Sequence, residues 1–390
     1  MLPARGRSQS IEREQAKAPV PPNGSSSFHS KRDAHSGFRD FCRRLLTAIL
    51  CAAVFPAILP AAQKPLEIFF IDVEGGQSTL FVTPAGQSLL IDTGWGYNGF
   101  RDANRIVAAA KLAHIKKIDY VVITHYHADH VGGVPQLVQK MPVGTFVDHG
   151  PDRETSKQSQ TLYSEYQAAI AGSNHILAKP GEQIPIKGMD VVIVSADGNV
   201  IEHALPGAGD PNGNCASVQQ KATDPSENAR SVGLVITFGK LRIVDLGDLT
   251  WQKELKLVCP DNKLGRADIF VVSHHGLALS NSPALVHALA PKVAIMNNGS
   301  KKGADPAAWD VIKSSPGLLD FWQLHFADAG GSEHNTSDPF IANVTEADTG
   351  YYLKVTANED GSFEIYNPRN KFTKQYPAIG ALGTPTTKAR

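Results

Sequence analysis

An apolar strand, Tyr120-Val121-Val122-Ile123, runs almost directly into His125-Tyr126-His127-Ala128-Asp129-His130. The end of a strand sets side chains at a mouth of the fold rather than in its core. Three imidazoles and a carboxylate within six residues are donors of the kind that Zn²⁺ and similar divalent ions take. His125 and His127 stand two apart, so both point the same way from an extended segment. Asp129 and His130 fall where the chain turns toward Val131-Gly132-Gly133, which lets them reach a second ion. The glycines allow the backbone to turn closely beneath the ions.

From Leu66 on, the chain reads as short apolar runs punctuated by Gly, Pro and Asp. Strands are predicted at 66–71, 79–82 and 88–91, the last two joined through the hairpin signal Pro84-Ala85-Gly86. Ile106, Ala109, Ala110 and Ala113 recur at helical spacing and predict a helix over 101–113. Further strands are predicted at 120–123, 144–147, 191–194, 232–238, 241–244, 269–272 and 293–296. Helices are predicted near 133–140, 161–171, 251–257, 283–289 and 306–314. Asn281-Ser282 before Pro283 reads as a helix start. Early hairpins followed by strands alternating with helices imply two sheets covered by helices, a layered α/β arrangement. Residues 196–228 form the longest irregular stretch, of a length that is functional or disordered.

Three segments follow from composition. Residues 1–62 read as a polar extension, rich in Pro, Ser and basic residues, leading into a signal peptide: Arg43-Arg44, a short apolar core over 45–55, then Ala61-Ala62. The apolar core is short for a membrane span, and Pro56 and Pro60 interrupt it. A start codon downstream of Met1 would account for the long basic region before it. Residues 63–378 read as one domain and 379–390 as a flexible tail. The whole chain balances 38 Lys/Arg against 38 Asp/Glu, but 9 of the basic and 4 of the acidic residues lie before residue 63. The remainder is acidic by five charges, which gives no support to a nucleic-acid partner, because phosphate-backbone binding needs clustered Lys and Arg. Of the four cysteines, Cys215 and Cys259 lie beyond the expected cut. They either pair, as exported proteins allow, or stand as two unlinked thiols.

The His125–His130 run resembles the H-x-H-x-D-H signature of the metallo-β-lactamase superfamily, and the resemblance spans about 66–366. It implies a four-layer αββα sandwich with one or two metal ions at the edge where two sheets meet. Other motifs match in order. Ile91-Asp92-Thr93-Gly94 is similar to the family's early acidic motif, in which the Asp orients ligands. Leu246-Gly247-Asp248 is similar to the motif whose Asp bridges two ions. Val271-Val272-Ser273-His274-His275-Gly276 is similar to the last histidine motif, with His274 slightly preferred over His275 as the ligand. That His-His-Gly form, with Phe70-Ile71-Asp72-Val73-Glu74-Gly75-Gly76-Gln77-Ser78 upstream, resembles the hydrolase domain of ComEC-type competence proteins. Relatives such as glyoxalase II carry a further histidine upstream of the bridging Asp, where this chain has Glu227-Asn228-Ala229-Arg230-Ser231. His149 either fills that gap or is a hydrogen-bonded loop histidine, and His334 is a weaker candidate.

The resemblance implies an exported metal-dependent hydrolase, secreted or periplasmic, without a stable membrane span after signal removal. A bound divalent ion lowers the pKa of its water from ~16 toward ~7 and so supplies hydroxide at neutral pH. Zn²⁺ is the default ion, with Mn²⁺ or Fe²⁺ as alternatives for a carboxylate-rich site. Asp129 would orient the nucleophile or shuttle a proton. Asn228, Ser231 and Tyr126 are the candidate substrate contacts, and Lys301-Lys302-Gly303 is a short basic loop able to hold a phosphate. The expected substrate is a phosphodiester or small phosphate ester; the alternatives are a lactone or other acyl ester, or a metal-binding scaffold without catalysis. The export reading predicts that the cellular protein begins near residue 63. N-terminal sequencing checks this, and an intact segment 1–40 would contradict it.

Overall fold

The computed structural model describes residues 64–378 apart from Gln220 and Glu346. The expected extension and signal peptide, and the C-terminal tail, lie outside the described residues. The strands are β1 (Leu66–Phe70), β2 (Thr79–Val82), β3 (Ser88–Ile91), β4 (Ile118–Val122), β5 (Val143–Asp148) and β6 (Asn174–Leu177). Then come β7 (Asp190–Ala196), β8 (Asn199–Val200), β9 (Asp210–Pro211), β10 (Gly233–Phe238), β11 (Leu241–Asp245), β12 (Asp261–Asn262), β13 (Ile269–Val271) and β14 (Val293–Met296). The last are β15 (Asp320–His325), β16 (Ile341–Asn343), β17 (Leu353–Ala357), β18 (Phe363–Asn367) and β19 (Phe372–Tyr376).

Among the described residues these make two large sheets. The first runs β19-β18-β17-β1-β2-β3-β4-β5-β6 and the second β16-β15-β14-β13-β11-β10-β7-β8, while β9 and β12 form a small ribbon. The final hairpins therefore return to the first sheet and pair β17 with β1. A core that includes Phe70, Val122, Ile236 and Ile295 lies between the sheets. Helices Arg101–Leu112 and Lys157–Ile170 cover the outside of the first sheet through residues such as Ile106 and Tyr166. Helices Trp251–Val258, Pro283–Leu289 and Pro306–Lys313 cover the second. This is the αββα sandwich that the motifs imply.

The layering explains the apolar runs. In β4, Val121 packs outward with Ile106 and its neighbour Val122 packs into the core between the sheets. A strand covered on both faces has no polar face, so its sequence is continuously apolar. Ser282 caps helix Pro283–Leu289, its side chain accepting the Leu285 N–H at 3.2 Å, as the sequence predicts. Residues 196–228 hold β8, β9 and the 3₁₀ turn Gly213–Ser217, and lead into a second such turn, Glu227–Arg230. Cys215 and Cys259 form a disulfide, with Cα atoms 5.9 Å apart, that ties the first of these turns to the end of helix Trp251–Val258. Among the described residues no helix is long and apolar enough to cross a membrane.

Register positions the site. Ile91 pairs with Val122 and Val122 with Val147 in parallel, so β3, β4 and β5 end together. In the second sheet Asp245, Val271 and Ile295 align in the same way. The loops that carry Asp92, His125–His130, Asp248 and His274-His275 thus leave the ends of neighbouring parallel strands, where α/β sheets place ligands. Ile236 is fully buried in the core between the sheets, so Ile236→Ala is expected to cost about 2–5 kcal/mol. Equilibrium denaturation checks this value.

Candidate metal centre

The turn after β4 is a short helix, Ala128–Val131, with His127 as its extended N-cap residue. It swings Asp129 and His130 toward the second sheet. There Asp129, His130, Asp248 and His275 each offer a ligand atom, and these atoms all lie within 4.8 Å of one another. His130 Nε2 is 3.2 Å from Asp248 Oδ2, 3.3 Å from Asp129 Oδ2 and 3.2 Å from His275 Nε2. His275 Nε2 is 3.0 Å from Asp129 Oδ2.

Each ring is fixed from behind. Asp92 holds His130 Nδ1 at 2.7 Å and accepts the Thr124 N–H at 2.8 Å and the Thr124 hydroxyl at 2.7 Å. The Asn297 carbonyl holds His275 Nδ1 at 3.0 Å. Such partners set the tautomer and aim the other nitrogen. Asn297 in turn donates to Gln77 Oε1 at 2.6 Å, and Gln77 donates to Asp245 Oδ2 at 3.0 Å, which braces the first sheet against the second. A second brace joins Asp72, just past β1, to His325 of β15 at 2.7 Å, with Arg105 on the same carboxylate at 3.2 Å. The sequence reading passes over His325 and Arg105, which no short motif marks.

The two histidines of the last motif have different places. His275 is the one whose ring nitrogen lies within the cluster, rather than the slightly preferred His274. His274 Nε2 stands at the edge, 3.5 Å from both Asp248 Oδ2 and the Asn228 amide. Both residues have left-handed backbone, φ 53° and 55°, a conformation that persists in non-glycine residues only when the surroundings impose it. The Gly303 loop does so. The His275 carbonyl accepts the Ala304 N–H at 2.8 Å, and a Cβ on Gly303 would stand 2.1 Å from that carbonyl oxygen.

The remaining candidates divide. His125 is fully buried, its ring 4.6 Å from that of His127, and its Nε2 lies 3.8 Å from Asp248 with no hydrogen-bond partner. Burial, with the nearby charge of His130 and His127, holds it well below the usual imidazole range, so it presents a neutral nitrogen. Ser231 approaches His125 Nδ1 at 3.5 Å and accepts the Asp248 N–H at 3.3 Å. Asn228 and Ser231 therefore do reach the site. His149 bonds the buried Glu227 through Nε2 at 2.8 Å and is not among the four residues whose ligand atoms converge. Tyr126 is also corrected: it is fully buried among His149, Tyr163 and Tyr166, with its hydroxyl donating to Gly150, and it cannot meet a substrate. His334 lies against Trp309, 3.5 Å from Asp310.

Two residues join the centre from outside the histidine motifs. Glu154 meets His127 Nε2 at 3.1 Å and also accepts the Glu227 N–H at 3.0 Å. Lys302, from the basic loop, places its ammonium against Asp129 Oδ2. Burial works against charge on Asp129 and Asp248, but His130 with Lys302 for the first, and His130 with His274 and His275 for the second, hold both carboxylates well below their usual range. Burial likewise opposes a proton on His130, and the carboxylates of Asp248, Asp129 and Asp92 raise it well above the usual range. The protein concentrates negative charge here and leaves a buried imidazole nitrogen without a partner; both features fit a divalent cation.

Residues 72–214 match the family model of the metallo-beta-lactamase superfamily. Over that segment the chain is similar to the metallo-β-lactamase superfamily. The chain is 24% identical over 253 residues to the competence protein ComA of Neisseria gonorrhoeae, covering 65% of this chain and 30% of that protein. It is 31% identical over 85 residues to a hydroxyacylglutathione hydrolase of Serratia proteamaculans, covering 22% of this chain and 27% of that one. The chain spans about a third or less of the length of the curated relatives it matches first. A metallo-beta-lactamase fold protein from Bacillus subtilis, YhfI, aligns with a TM-score of 0.41 at 13% identity, covering 66% of this chain and 96% of that one. Asp92→Ala frees the His130 ring and is expected to weaken metal affinity about 10–100-fold. Metal titration checks this, with circular dichroism confirming the fold.

Proposed function

We propose that this chain is an exported metallohydrolase acting on a phosphodiester or related phosphate ester. One observation carries the reading: Asp129, His130, Asp248 and His275 converge beside the unpartnered His125 Nε2 and under the Lys302 ammonium. In this reading Asp129, His130, Asp248 and His275 hold one ion. His125, His127 and Asp248 would hold a second, the Asp248 Oδ2 lying 3.8 Å from His125 Nε2 and 3.2 Å from His130 Nε2. Zn²⁺ suits the imidazole donors, and Mn²⁺ or Fe²⁺ compete where carboxylates dominate. Bound divalent ions supply a hydroxide nucleophile at neutral pH and polarise the oxygen under attack.

The chain's own groups do the rest. Asp92 and the Asn297 carbonyl keep the His130 and His275 rings aimed at the cluster. Asp129, held ionised, is placed to orient the nucleophile or carry its proton. Lys302 offers a fixed positive charge to an anionic ester oxygen, and this favours phosphate esters. The disulfide supports export, since such bonds persist in oxidising compartments. The net negative charge past residue 62 weighs against a long nucleic-acid substrate, although ComA is a competence protein. Acyl hydrolysis is the second reading, favoured by the hydroxyacylglutathione hydrolase similarity and disfavoured by Asn228 and Ser231 standing where those hydrolases carry a histidine.

Protein purified without chelators is expected to hold one to two equivalents of divalent metal and to hydrolyse bis(p-nitrophenyl) phosphate. His130→Ala should lose metal and more activity than the ~10–100-fold that loss of a ligand's outer partner costs. Elemental analysis beside the assay checks both. Turnover of thioesters or lactones without phosphodiesters would shift the assignment to acyl hydrolysis. Absence of metal after Zn²⁺ and Mn²⁺ addition would contradict it.

A further inference from the structure

Beside the metal centre lies a cleft of about 700 Å³ that the proposed chemistry does not use. Ala128, the residue between His127 and Asp129, is among the residues that line it. Trp95 and Tyr97 form one wall, their ring centroids 5.0 Å apart and tilted by 47°. Thr161 and Leu162, from helix Lys157–Ile170, line it as well. Tyr97 is 53% exposed, so its ring is open to a ligand. Lys302 connects the two regions, its ammonium lying 4.8 Å from the Trp95 ring centroid while touching Asp129. Two aromatic lining residues, one with a cation against its ring that also reaches the polar reaction centre, fit a ligand that is flat and apolar at one end and anionic at the other.

We infer that this cleft is the subsite for an aromatic substituent of a small phosphate ester, with Lys302 pairing with the anionic oxygen. The inference rests on the hydrolase reading and narrows it: the substrate is a small molecule with one planar group, such as an aryl or nucleobase moiety. The planar group lies against Trp95 and Tyr97 and faces Leu162. This orientation turns the anionic end of the ester toward Lys302, which touches Asp129. Trp95 and Tyr97 thereby set specificity, and Lys302 contributes to anion affinity for any substituent.

Phenylphosphonate and methylphosphonate share the anion and carry a carbon–phosphorus bond that a hydrolase does not cleave, so their binding separates the subsite from turnover. Calorimetry on the metal-containing protein should show phenylphosphonate binding about tenfold more tightly than methylphosphonate, the scale of an aromatic contact. Tyr97→Ala removes one aromatic lining residue, and Thr161→Trp fills the cleft from helix Lys157–Ile170. Both positions are solvent-exposed, and the Thr161 hydroxyl bonds only within its own helix, to the Lys157 carbonyl. Each variant should reduce the preference for the phenyl compound toward unity. Lys302→Met should weaken both phosphonates alike, and Lys302→Arg should restore them in part, with metal content followed by elemental analysis. Equal binding of the two phosphonates by the unaltered protein, or an intact preference in Thr161→Trp, would overturn the subsite. A phenyl preference in a protein that cleaves no phosphodiester would uphold the subsite and refute the phosphodiesterase reading instead.

Discussion

Burying Asp129 and Asp248 against His130 and His275, where the strands of two sheets end, is the constraint on which the rest of this structure depends. A carboxylate removed from water is costly unless it is paired or coordinates a metal. These two are nearly inaccessible to solvent, and they share a small space with a third carboxylate, Asp92, behind His130. The protein supplies partial compensation through imidazoles and Lys302. The unpartnered His125 nitrogen shows where that compensation stops short. A bound cation would complete it and would tie folding of this edge to metal binding.

The supporting architecture follows from that cost. Ligands on loops are held accurately only when the loops themselves are fixed. The parallel registers of β3, β4 and β5, and of β11, β13 and β14, bring the loop origins into line. The Gln77–Asn297 and Asp72–His325 bonds then lock one sheet to the other beneath the site. The paired left-handed residues His274 and His275, pressed by the Gly303 loop, are strain retained so that one imidazole enters the cluster and the other stays at its rim.

Much of the fold is legible in the sequence where strands are covered on both faces. β2, β3 and β14 appear as continuous apolar runs and are found with their observed limits. β17 and β18 alternate buried and half-buried residues, as in Leu353-Lys354-Val355 and Phe363-Glu364-Ile365, and a search keyed to apolar runs passes over them. The site divides in the same way. The spacing of His125, His127, Asp129 and His130 is local, so it can be read directly, whereas the fates of His149 and Tyr126 depend on Glu227 and on helix Lys157–Ile170, distant in sequence. Nothing short of the fold distinguishes His274 from His275, because adjacent residues in a turn point in different directions. Glu154 and Lys302 reach the centre from loops with no motif of their own beyond a basic pair.

Anomalous diffraction from crystals of protein purified without chelators or added metal tests whether the cluster is a metal centre. A metal centre gives an anomalous peak within coordination distance of Asp129, His130, Asp248 and His275, and a second peak beside His125 and His127 when the site is fully loaded. Crystals whose only metal peak falls at Asp72 and His325, or that show no peak at the cluster after soaking with Zn²⁺ or Mn²⁺, would contradict it.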